Sequence, residues 1–183
     1  IAKLSSSQEA ALSTAQIANL GTDQLAALTT DQTEALSPTQ VKALSSVQLA
    51  VFDAEHIATF STADIAAITS RAINGLTTDI ISTLSTSQIA ALNSTAIPRL
   101  TSGQIAALST DQVEALTPAQ VASLTSVQLA AIDADHMATF STADIAAITS
   151  KAIPGLSTDI IATFSTGQIA SLTTSQVSAL KTT

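Results

Sequence analysis

Leu12-Ser13-Thr14-Ala15-Gln16-Ile17-Ala18-Asn19 is followed at once by Leu20-Gly21-Thr22-Asp23-Gln24-Leu25-Ala26-Ala27. The second stretch repeats the first in kind, residue type for residue type. Extended both ways, the pattern runs as an unbroken series of eight-residue units from Leu4 to Leu180, and internal repetition of this sort decides architecture before any local reading does. We label the positions a to h and number the octads from Leu4. Position a is always a large apolar residue, and f is apolar except at Glu9 and Thr33. Position e is usually Gln, and b is Ser, Thr, Asp, Asn or Gly in all 22 complete octads. A longer period overlies the short one: residues 40–91 recur, with substitutions, at 120–171, an offset of ten octads. The chain reads as a single array over 1–183, with ten-octad blocks at 4–83 and 84–163 and a third beginning at 164. Its ends fall inside octads, without polar caps, so a longer array is expected.

The octad dictates its own local structure. Residues of the b type cap helix N-termini, because their side-chain oxygen accepts a bond from an otherwise orphaned backbone N–H. Gln three residues later can reach back to the cap's own N–H, completing a capping box. Pro38 and Pro118 stand at c, in the first turn, where the missing N–H is no loss. A helix therefore starts in every octad, and it must also stop there. An uninterrupted helix would turn the a residue by about 80° per octad and spread Leu over all faces. The expectation is an all-α solenoid with one short helix per octad, over c to h, and a tight turn at a and b. Positions a and f, such as Ile17 and Leu20, point inward, and b to e lie nearer the surface. Ala and Gln are poor strand formers, which argues against a β-solenoid. A lone octad has too few apolar groups to offset its ordering entropy, so successive helices must stack. The units Ile68–Gly75, Leu92–Arg99 and Ile148–Gly155 carry Pro or Gly near their ends, at Gly75, Pro98, Pro154 and Gly155, and are expected to form looser turns.

Composition excludes several functions. The net charge is −8, and the six basic residues are scattered singly, which disfavours nucleic acid and anionic membranes. Hydroxyl residues interrupt every apolar run, so membrane insertion is not expected. There is no Cys, and hence no disulfide, thiolate nucleophile or zinc–thiolate site. No phosphate loop, dinucleotide fingerprint or nucleophile elbow occurs, so no cofactor and no enzymatic activity are expected.

One constellation has chemical potential: Asp53, Glu55, His56 and Asp64, repeated as Asp133, Asp135, His136 and Asp144. His56 and Asp64 both occupy e in successive octads, as do His136 and Asp144. If such positions were neighbours, a His–carboxylate pair could bind a divalent ion. The alternative is that they replace Gln in a row of polar contacts. The acids at d (Asp23, Asp31, Asp79, Asp111 and Asp159) sit in first helical turns, where the backbone favours negative charge.

Octads of the type Leu12–Asn19 and Leu28-Thr29-Thr30-Asp31-Gln32 resemble the octapeptide tracts of giant bacterial adhesin-like surface or secreted proteins. That resemblance implies an extracellular or cell-surface spacer, stalk or fibre-forming segment. Its partners would be neighbouring repeats of the same chain and, in a fibre, other copies. Leu116-Thr117-Pro118-Ala119-Gln120-Val121 is also similar to the first helix of TAL-effector repeats, but the second helix, base-reading loop and basic groove of that family are missing. The rival expectation is a binding module that presents a regular Ser/Thr/Gln face to a protein, a carbohydrate or ice.

Overall fold

The computed structural model describes residues 3–180. The octad positions of Ile1 and Ala2, and Lys181 beyond the last octad, lie outside the described residues. Each octad forms one helical element. Nineteen are short α-helices and three are 3-10 turns, and no strand occurs among the described residues. The fold is the expected all-α solenoid of very short helices. Nine of the helices run from c to g, such as Thr14–Ala18 and Thr110–Glu114, seven reach h, such as Thr62–Ala67, and three stop at f, such as Ser46–Leu49.

The start of each helix follows the capping logic. Ser85, for example, has extended backbone (φ −67, ψ 157), and its Oγ accepts from the backbone N–H of Gln88. The Gln88 side chain accepts in turn from the Ser85 N–H at 2.9 Å. The stop is equally regular. The N–H of each following a residue donates to the f carbonyl, as in Leu20 to Ile17 at 3.1 Å and Leu92 to Ile89 at 3.1 Å. Where the helix reaches h, position a is already extended, as at Leu84 (φ −61, ψ 138) and Leu172 (φ −62, ψ 127). Two extended residues thus join one helix to the next. No described residue has a positive φ, so these turns do not call for glycine.

The helical elements that pack most extensively across turns each join an octad to the one three further on. Thus the helix at Pro38–Lys42 packs on Thr62–Ala67, and Thr110–Glu114 packs on Ala134–Thr139. Side-chain bonds between turns span 28 to 31 residues. One superhelical turn therefore contains between three and four octads, a number the sequence pattern left open.

The core is one continuous column of a and f side chains, from Ile17 to Leu156. Position e departs from expectation. From octad 4 onward its Gln is buried with a and f, whereas b, c and d stay toward solvent: Gln40 is 2% exposed and Gln120 1%. The reason lies in hydrogen bonding across turns, described below.

The three irregular octads also keep a helical turn. Residues 73–75, 97–99 and 153–155 form 3-10 segments in place of the α-turn. Their e position is a buried Ala (Ala72, Ala96 and Ala152). Gly75 is required by close approach. A Cβ placed there would lie 2.1 Å from the Ser46 carbonyl oxygen of the turn below, and Gly155 meets Ser126 in the same way.

Candidate functional site

The most elaborate chemistry in the chain is the column of e side chains, each of which acts in two directions. Gln40 Oε1 accepts from the Ser37 N–H at 2.8 Å, which is the expected half of the capping box. Its Nε2 donates to the Glu9 carbonyl at 3.0 Å and the Leu12 carbonyl at 2.9 Å, in the preceding turn. Those carbonyls belong to the f position and the next a position, where a helix of the preceding turn ends; the f oxygen already accepts from the following a N–H, as in Leu12 to Glu9 at 2.9 Å, and the amide adds a second donor there. One amide therefore caps the start of its own helix and the end of another. Gln48, Gln88, Gln112, Gln120, Gln128, Gln168 and Gln176 repeat the arrangement.

Sequence reasoning found the first bond and missed the second. A signal was present: Glu satisfies a capping box as well as Gln, yet Glu never stands at e. Only the amide supplies a donor for the carbonyls of the turn below.

His56 takes the place of Gln in this column. Its Nε2 faces the Leu28 carbonyl at 2.9 Å, the same 28-residue step, and its Nδ1 faces Asp53 Oδ1 at 2.7 Å. Both partners are acceptors, so a hydrogen on either ring nitrogen finds one. His136 stands likewise between the Leu108 carbonyl (2.8 Å) and Asp133 Oδ1 (2.8 Å). The backbone N–H of His56, first, and its ring hold the Asp53 carboxyl below the usual carboxylate range; the His136 backbone N–H leads the same effect at Asp133. Asp64 and Asp144 also occupy e, and each Oδ2 accepts from the backbone N–H of its cap serine, Ser61 or Ser141, at 2.9 Å.

The structure does not join His56 to Asp64 or His136 to Asp144. His56 and His136 reach back to the Leu28 and Leu108 carbonyls of the preceding turn, and Asp64 and Asp144 bond to their own cap serines. Among the described residues no three His, Asp or Glu side chains converge as metal ligands. Glu55 and Asp135 are exposed at d. So are Asp23, Asp31, Asp79, Asp111 and Asp159, all in first helical turns. The b hydroxyls are committed as caps, and the hydroxyls at c and d form the free outer face.

A model of the ALTTAQ repeat matches residues 1–38, 57–94, 85–118, 97–126 and 137–174, together well over half of the sequence. This chain belongs to the ALTTAQ repeat family. The six letters of that name correspond to positions h to e here, as in Ala27-Leu28-Thr29-Thr30-Asp31-Gln32, where Asp31 is the one departure. In the ALTTAQ chain the final Q is thus the residue that ties one turn to the next. No curated relative matches the sequence.

Proposed function

We propose that this ALTTAQ array is a spacer, stalk or fibre-forming element of a large bacterial surface or secreted protein, with no catalytic role. One observation carries the reading. The most numerous polar side chains of the described interior, the e glutamines, join each turn to the last. Such an array gains length by adding turns, and stability grows with nearest-neighbour contacts. The extracellular location rests on the resemblance of the octads to adhesin-like tracts. The partners of each octad are its neighbours in the same chain, and copies of the chain associate end to end in a fibre.

The test is a series of proteins with one, two and three ten-octad blocks, measured by small-angle X-ray scattering and by extension under force. The spacer reading expects maximum dimension to rise linearly with block number, with unchanged cross-section. A dimension that levels off would remove the reading. A second reading, a module that binds a protein, carbohydrate or ice, draws on the free Ser and Thr at c and d. Exchange of those residues for Ala over several octads would then abolish binding and leave the circular dichroism unchanged.

A further inference from the structure

Asp64 breaks the donor pattern of the column. It is 95% buried, at 5% relative exposure, and its Oδ1 is shielded from solvent without any hydrogen-bond partner. Its other oxygen is fully used, accepting from the Ser61 N–H at 2.9 Å and from the Ser61 hydroxyl at 2.5 Å. The register of the flanking octads identifies the oxygens that an e side chain meets here. Gln48 reaches Ile17 and Leu20, and Gln88 reaches Ile57 and Phe60, always 31 and 28 residues back. For Asp64 the equivalents are the carbonyls of Thr33 and Leu36. The Thr33 oxygen already accepts from the Leu36 N–H at 3.2 Å, and the Leu36 oxygen has lost the amide that serves its counterparts.

The result is an all-acceptor junction. By the register of the flanking octads the bare Asp64 oxygen belongs beside main-chain oxygens rather than donors, and a buried charge of this kind is costly without a counter-charge. No Lys, Arg or His forms an ion pair with Asp64 among the described residues. Asp is also one methylene shorter than Gln, so its oxygen stands back from the carbonyls that Gln would touch. That gap suits an ion bound through oxygen on both sides. A single carboxylate with a few carbonyls neutralises one positive charge and falls short of the six to eight oxygens that calcium takes.

We propose that Asp64 holds a monovalent alkali cation between its Oδ1 and the main-chain oxygens of Thr33 and Leu36. Asp144 holds a second ion, against Val113 and Leu116. Asp144 is also buried, and the cap serine Ser141 takes its Oδ2 in the same way. Each ion replaces the donor that Gln supplies elsewhere in the column.

The test is thermal unfolding of the full chain in sodium, potassium or choline chloride at constant ionic strength. The midpoint should be higher with an alkali cation than with choline. At ion concentrations well above the dissociation constant the unfolding constant should fall about tenfold per site for each tenfold rise in that ion, hence about a hundredfold for two sites. The double variant Asp64→Gln, Asp144→Gln restores the consensus donor and should fold with no dependence on cation identity. The single variant Asp64→Gln should keep half of the logarithmic slope. Equal midpoints in all three salts, the result expected of a water or a proton in the gap, overturn the proposal. So does cation dependence that persists in the double variant.

Discussion

The e glutamine is the residue on which two independent parts of the fold meet. Its oxygen serves its own helix start and its nitrogen serves a helix end 28 to 31 residues earlier. Gln120→Glu separates the two, since it keeps an acceptor for the Thr117 N–H and removes the donor for Ile89 and Leu92. Each buried hydrogen bond is worth about 1 kcal/mol net, and a buried acceptor left bare costs about 1–3 kcal/mol. Gln120→Glu should therefore destabilise by roughly 3 kcal/mol or more, and Gln16→Glu, at an exposed e position, by less than about 1 kcal/mol; urea unfolding of both variants checks this. Glu9 poses the opposite case, a carboxyl at the core position f with neither oxygen hydrogen-bonded. Burial pushes its pKa up from 4.5 to about 7. The folded chain then binds that proton more tightly than the unfolded one, so stability is full below about pH 4.5 and declines as the pH rises to about 7. The sign at Asp53 and Asp133 is reversed. Their lowered values give stability that is present at neutral pH and lost in acid, as pH falls through the folded value. Glu9 and Thr33, the two polar residues at f, lie on octads that stack on one another, and the second block has Ile89 and Val113 in their places. Glu9→Ile should abolish the decline between pH 4.5 and 7 in thermal melts, with the acid limb retained.

At the scale of the element, most of the fold is legible in the sequence. Ser or Thr at b, Gln at e and the period of eight locate each helix start, and the need to bury both Ile17 and Leu20 locates each stop. The reading failed where an element's identity depends on a different turn. Nothing within Leu36–Ala43 tells that Gln40 will be buried, because its partners, Glu9 and Leu12, belong to another stretch of chain. For the same reason the number of octads per turn could not be read, and the proposed His56–Asp64 pairing could not be distinguished from two separate contacts. The irregular octads were legible as irregular, since Pro and Gly mark them, but their purpose was not. In two of the three it is steric: Ile73–Gly75 lies so close to Ser46 that a side chain at Gly75 has no room, and Gly155 meets Ser126 likewise. Gly75→Ala should cost more than the 1–3 kcal/mol typical of overpacking, because the opposing atom is backbone and cannot move aside. Gly103→Ala has only the Thr101 hydroxyl at 3.9 Å nearby and should be neutral or slightly stabilising. Paired calorimetry of the two variants is the check.

Across the whole molecule, octad identity matters less than octad register. Insertion of one consensus octad after Ala107 moves every later residue by a full unit and gives each e side chain another a and f carbonyl to meet. Such a protein should unfold cooperatively, with a midpoint within a few degrees of the parent. Insertion of four residues at the same place exchanges a with e and puts polar residues in the core, and cooperative unfolding should be lost; circular dichroism melts distinguish the two. Among the described residues the between-turn bonds of the glutamines also run one way, with side-chain amides donating to carbonyls nearer the N-terminus. The superhelix is therefore a polar rod, donors on one end face and acceptors on the other. Two rods meeting through like faces would set donor against donor, so a closed two-fold dimer through these ends is disfavoured. Contact of unlike faces repeats the internal geometry and never closes, so assembly by this route makes unidirectional filaments of open length.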